Sequence, residues 1–276
     1  MRAVIFLIPI WAAPVDAQVV VDRTLDADGS NQLQMIANEV WDIVRDLFGK
    51  APPLNLPIRC HFDPSRPITS LDNWTRPTAT MIGITVTGAH WSQFAYQLSH
   101  ELGHVMIDPR RSNGIIETIC VALSYEVLDQ LSAKFGSGSP RSNRVLSAYG
   151  ENFKNYRQDD ERAAISRFPP EIKVAFERKN WLELRRYLER HRSEQEQLTQ
   201  AEIQAPHGRD IQTLGAIALR SAPIAWKDLW DLGACTSPPP DKLPSFLDAP
   251  INSGCIQRLS PMLCRVGRGC NEVIGK

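Results

Sequence analysis

Residues 81–131 read MIGITVTGAHWSQFAYQLSHELGHVMIDPRRSNGIIETICVALSYEVLDQL, and the change of period inside this stretch decides the fold class. Met81 to Thr87 alternates apolar and β-branched residues, the pattern of a strand, and Gly88 ends it. From Trp91 the spacing becomes helical. Trp91, Phe94, Ala95, Leu98, Leu102 and Val105 form one apolar stripe, and Pro109 forbids continuation much past Ile107. A second helix is expected to follow closely, with Ser112 or Asn113 as its cap and Gly114 in the turn. Ile116, Ile119, Cys120, Leu123, Val127 and Leu131 supply its buried face.

Working outward, Val19 to Val21 reads as a short strand. Ser30 is placed to cap a helix whose apolar positions are Leu33, Ile36, Val40, Val44, Leu47 and Phe48, with Gly49 as its stop. Pro52, Pro53, Pro57, Pro64, Pro67 and Pro77 break the region 51–80 and leave room for one short strand near Ile58 to Phe62. After the loop Gly136 to Pro140, charged helices are expected. Pro169-Pro170 separates one of them from a pair around Glu171 to Gln200, and an apolar helix follows around Ile211 to Leu219. Asp159, Asp160, Glu161, Arg185, Arg186, Glu189 and Arg190 read as a solvated face. The organisation is α+β: an N-terminal lobe over 18–135, a helical lobe over 136–234, a cleft between them, and a Pro/Cys-containing tail over 235–276.

The first residues set the expected compartment. Arg2 precedes an apolar run from Ala3 to Val15, and Val15-Asp16-Ala17 has small residues where a signal peptidase would cut before Gln18. The run is about 13 residues and contains Pro9 and Pro14, short of the roughly 20 that a spanning helix needs. A signal peptide over 1–17 and a secreted or periplasmic product are therefore expected, with no stable membrane insertion once the signal is removed. Export would expose Cys60, Cys120, Cys235, Cys255, Cys264 and Cys270 to oxidation. The last four crowd the tail and are expected to pair mostly with each other, whereas Cys120 could instead be a buried free thiol. The 31 Lys+Arg balance 31 Asp+Glu, so no basic field is available to hold nucleic acid.

The chemistry-bearing signal is His100-Glu101-Leu102-Gly103-His104. Residues i and i+4 share one helix face, so the two imidazoles can serve a single Zn²⁺, and the apolar stripe lies on the opposite side. Gln93, Gln97, His100, Glu101 and His104 would thus lie on a polar face free to line a cleft. An open catalytic zinc site takes three protein ligands and keeps a position for water. Glu117, 13 residues after His104 in the first turn of the next helix, is the preferred third ligand. Two other readings stand: Glu117 could merely favour the helix N-terminus through the dipole, and Asp108, four residues past His104, is a rival ligand that Pro109 pulls out of regular helix.

These residues resemble the zincin metallopeptidases, and within them the gluzincin branch, in which an HExxH helix is followed by a glutamate ligand on a second helix. The resemblance covers roughly residues 81–131. It implies a zincin-like catalytic domain with a small mixed sheet, an active-site helix and a helical C-terminal lobe. It also implies that the strand from Met81 to Thr87 is the edge strand bordering the cleft and pairing with an extended peptide or protein substrate. Zn²⁺ on His100, His104 and Glu117 would acidify a water, and Glu101 would take its proton and pass it to the leaving amine. In similar enzymes a Tyr or His of the downstream lobe steadies the oxyanion, and Tyr149, Tyr156 and His207 are available.

The sequence departs from two related patterns. Ile107 and Arg110 stand where the metzincin continuation needs Gly and His, and Val121 stands where the thermolysin-like pattern has an aspartate. Ser124 and Cys120 are left as weak candidates for orienting a histidine. The alternative expectation is an exported zincin-fold binding or structural protein without turnover, which would have no need of Glu101.

Overall fold

The computed structural model describes residues 19–25, 31–110, 112, 114–136, 144–190, 206–221 and 226. The expected signal segment, Ser30, Asn113 and the tail 235–276 with its four cysteines lie outside the described residues. The fold is mixed α+β. Strand β1 (Val19–Val21), helix α1 (Gln32–Phe48) and strand β2 (Ile58–Phe62) come first, followed by β3 (Ile68–Leu71) and β4 (Thr80–Ile84). Six helices complete the described chain: α2 (Trp91–Ile107), α3 (Gly114–Gly136), α4 (Arg144–Ile165), α5 (Pro170–Glu177), α6 (Trp181–Arg190) and α7 (Pro206–Arg220).

The strands form one sheet in the order β1-β2-β4-β3. β1, β2 and β4 run parallel, with α1 as the crossover from β1 to β2, and β3 returns antiparallel on β4 from Leu71↔Thr80 to Ile68↔Gly83. This corrects two expectations. The strand before α2 is internal rather than at the edge, and the edge on that side is β3, in the proline-broken stretch where only β2 was foreseen. The prolines flank β3 without entering it, so its ladder is intact.

The two outer strands are finished differently. Gln34 of α1 folds over β1, accepting from the Val21 N–H at 2.8 Å and donating to the Val19 carbonyl at 2.9 Å. On its outer side β3 has no strand partner among the described residues. The turn behind β3 is fixed by Asp72, whose Oδ1 accepts from the backbone N–H groups of Asn73, Thr78 and Ala79 at 2.8–3.0 Å.

Helix α1 ends as expected at Gly49, which takes the left-handed conformation (φ 63°) and returns its N–H to the Arg45 carbonyl. It starts at Gln32 behind a left-handed Asn31 that makes no side-chain cap hydrogen bond. Helix α2 runs from Trp91 to Ile107 as its stripe predicts, and Asp108 is already extended, as a residue before proline should be. Phe94, Leu98 and Leu102 are fully buried, each contributing about 1.5–3 kcal/mol.

Helix α3 differs from the amphipathic helix expected. Besides the anticipated face, Val121, Ala122, Ser124, Tyr125 and Leu128 are also buried. The reason is its central place: α1, α2, α4 and α7 all pack on it. Gly114 is its first residue rather than part of a preceding turn. One continuous core of buried apolar side chains runs from Val19 to Trp226.

The charge-rich face of α4 also needs correction. Asp159 is exposed, but Asp160 accepts from the Tyr125 hydroxyl at 2.6 Å, and Glu161 is buried. Arg157 pairs with Asp129 and Glu161, both at 2.7 Å, and Arg220 of α7 reaches Glu126, Asp129 and Glu161. The two arginines neutralise the carboxylates where α3, α4 and α7 meet, which lets a polar helix face go inside.

Candidate metal and catalytic site

Helices α2 and α3 cross where Gly103 leaves a notch. A Cβ at Gly103 would stand 2.7 Å from the Cys120 sulfur and 3.3 Å from Leu123 Cδ2, so glycine is what permits the approach. This crossing sets the first turn of α3 against the His100 and His104 face of α2.

The three expected ligands are brought together. His100 Nε2 lies 3.1 Å from Glu117 Oε2, and His104 Nε2 lies 3.5 Å from Glu117 Oε1. Two donors each about 2.0–2.1 Å from a tetrahedral Zn²⁺ are roughly 3.3–3.4 Å apart, so the observed pairs bracket the required separation. All three residues are largely buried, with side chains 10–20% exposed. Donor type and shelter suit one divalent cation, although the two contacts use different oxygens of the Glu117 carboxylate and the His100 contact is a direct hydrogen bond. The structure brings in a further donor: the ligand-capable atoms of His100, His104 and Cys120 all lie within 4.8 Å of one another.

The electrostatics couple the Glu117 carboxylate to the His104 imidazole. Burial alone would raise the Glu117 carboxyl, but His104 and His100 hold it well below the usual range. At His104 burial opposes the charge, yet the Cys120 sulfur and the Glu117 carboxylate outweigh it and place the imidazole well above its ordinary value. Burial pushes the Cys120 thiol up, with His104 pulling it partly back.

Glu101 is held separately. It is 4% exposed, and its Oε2 accepts a hydrogen bond of 2.8 Å from Thr69 Oγ1, which also donates to the Glu101 backbone carbonyl at 3.0 Å. Thr69 stands on edge strand β3, so the sheet edge and the glutamate are tied directly. Sequence reasoning missed Thr69 because the run Ile68-Thr69-Ser70-Leu71 is only four residues long and lies between prolines. Its β-branched content was the one available signal.

Ser112, foreseen only as a cap, donates instead to Glu117 Oε1 and so helps fix that carboxylate. Asp108, the rival ligand, is engaged by Arg110 through Nε at 2.9 Å and Nη2 at 2.8 Å. Gln97 does not line a cleft: it is buried and binds Thr85, accepting from its backbone N–H at 3.0 Å and donating to its hydroxyl at 2.7 Å. Ser124 spends its hydroxyl on the Cys120 carbonyl of its own helix, leaving Cys120 as the neighbour of His104.

Of the oxyanion candidates, Tyr149 packs against Trp91 with ring centroids 4.7 Å apart, and Tyr156 packs against Tyr96 at 5.7 Å, its hydroxyl pushed up to about 12 by burial. The side chain of His207 lies outside the described residues. Cys60 and Cys120 are both buried free thiols, as allowed for Cys120. No helix among the described residues is long and apolar enough to cross a membrane. No protein-family model, curated protein or solved structure matches this chain.

Proposed function

We propose that the protein is an exported zinc-dependent metallopeptidase of gluzincin type, with Zn²⁺ held by His100, His104 and Glu117. What carries the reading is the separation of roles at the α2/α3 crossing. Three donors meet at 3.1 and 3.5 Å, while the neighbouring Glu101 is buried and bound to Thr69 instead. A buried carboxylate costs several kcal/mol unless something compensates it, and a general base gives the fold a reason to keep one there.

Zn²⁺ in such a site supplies Lewis acidity that polarises a carbonyl and acidifies a water. Glu101 accepts the proton of the attacking water and delivers it to the leaving amine. Thr69 fixes one carboxylate oxygen, leaving the other to handle that proton. β3 offers an outer edge with no strand partner among the described residues, on which an extended peptide can lie, two residues of strand from Thr69 at most in either direction. Ser112 keeps Glu117 oriented toward the histidines.

The test is Glu101→Gln, which preserves size and polarity and removes the base. The expected variant folds, binds zinc like the parent, and loses hydrolysis of an unfolded-protein or peptide library by at least about two orders of magnitude. A zinc-loaded parent that cleaves nothing, or a Gln variant that cleaves equally well, overturns the peptidase reading.

The second reading is an exported zincin-fold binding or structural protein without turnover. The thiol of Cys120 beside the same histidines favours it, because four protein donors close a zinc site that catalysis needs open.

A further inference from the structure

We propose that Cys120 is a fourth, protein-supplied donor to the metal held by His100, His104 and Glu117, occupying at rest the position that substrate or water must take during turnover. The inference rests on the metal site proposed above and concerns how that site is closed.

Three observations support it. Donors come in facing pairs from two helices, His100 and His104 from α2, and Glu117 and Cys120, three residues apart and so on one face, from α3. The Cys120 sulfur is wholly buried and lies with the ligand-capable nitrogens of both histidines inside a 4.8 Å group. A nitrogen at about 2.0–2.1 Å and a sulfur at about 2.3 Å from a tetrahedral ion are roughly 3.6 Å apart, so a side-chain movement on the order of 1 Å completes the set. Finally, the sulfur reaches this place only because residue 103 is glycine, since any Cβ there would meet it at 2.7 Å.

A thiolate in the donor set selects for thiophilic divalent ions such as Zn²⁺ and Co²⁺ over Mg²⁺ or Ca²⁺, which prefer oxygen. It also means that the resting protein holds its metal with four side chains, and that Cys120 must yield before a carbonyl or water can reach the ion.

Cobalt reports thiolate ligation directly. The full-length protein, stripped with chelator and kept reduced, is titrated with Co²⁺ alone and followed by absorption. The parent should take up one equivalent and show a near-ultraviolet sulfur-to-cobalt charge-transfer band. The band should persist in Cys60→Ser and vanish in Cys120→Ser and Cys120→Ala, which should still bind cobalt at least about tenfold more weakly, as loss of a donor costs no less than loss of a group supporting one. Cobalt bound by the parent without the band overturns the Cys120 assignment whether or not the variants fold, and leaves the three-ligand site standing. A band that survives Cys120→Ser does the same. No cobalt bound by the parent overturns both readings.

Discussion

Gly103→Ala tests the packing on which the whole site depends, and its cost follows from the helix crossing. In an open helix this change stabilises by about 1 kcal/mol, since alanine is the better helix former. Here the new Cβ would stand 2.7 Å from the Cys120 sulfur, 3.3 Å from Leu123 Cδ2 and 3.4 Å from Cys120 Cα. The first contact is roughly 1 Å inside the optimal 3.5–4.0 Å separation of heavy atoms, and the sulfur hangs on a single rotatable bond in a closed interior. Overpacking of this kind costs about 1–3 kcal/mol. Near the upper end of that range it exceeds the propensity gain, leaving a net loss of about 1–2 kcal/mol. Cys120→Ala removes the atom responsible, so in that background Gly103→Ala should be neutral or stabilising by up to about 1 kcal/mol. The expected coupling between the two sites is therefore about 2 kcal/mol, within the range seen for residues in contact. Urea unfolding of the parent, both single variants and the double variant measures it, with chelator present so that bound metal does not add to stability. Additivity within about 0.5 kcal/mol, or a stabilised Gly103→Ala single variant, would refute the reasoning.

Glu117→Ala should abolish tight zinc binding while Asp108→Ala leaves it near the parental level, because Arg110 already occupies the Asp108 carboxylate; the opposite pattern in a competitive chelator titration removes Glu117 from the ligand set. Thr69→Val removes the hydroxyl bound to Glu101 and should lower kcat about tenfold with KM little changed, while Thr69→Ser restores most of it, the scale of one hydrogen bond to a charged group. A Val variant with parental kcat would show that Thr69 positions nothing. Asp72 should titrate near 2 rather than at its ordinary 3.8, held down by the Thr78 hydroxyl and the backbone N–H groups of Ala79 and Thr78. Its folded-state value is depressed, so its support of the β3–β4 turn is complete above about pH 4 and fades as pH falls through about 2. A carboxyl carbon shift followed by NMR that has its midpoint near 4 contradicts this.

What the sequence alone reveals divides along a physical line. Helix α2 was legible to the residue because everything that defines it is local: an apolar stripe, a stop at Pro109, and two histidines one turn apart. The pairing of Glu117 with them was legible too, since a short connection between helices leaves few placements. Strand β3 was not, because a four-residue strand is specified by its partner β4 rather than by its own pattern, and every residue in it is only partly buried. The charges of α4 misled for a related reason. Asp160 and Glu161 look solvated in the local sequence, but their burial depends on Tyr125 and Arg220, which come from other helices.

Gly103 and Cys120 carry this division into the site itself. Spacing within one helix identifies His100 with His104, and Glu117 with Cys120, but it does not determine that the Cys120 sulfur reaches the histidines. That depends on how closely α2 and α3 approach, which the missing Cβ at Gly103 permits. The residue between the motif's letters is thus as consequential as the letters. It governs whether the metal proposed here rests on three protein donors or on four. A larger residue at 103 would push Cys120 away from His104 and leave Glu117, one turn earlier on α3, to complete the site without it.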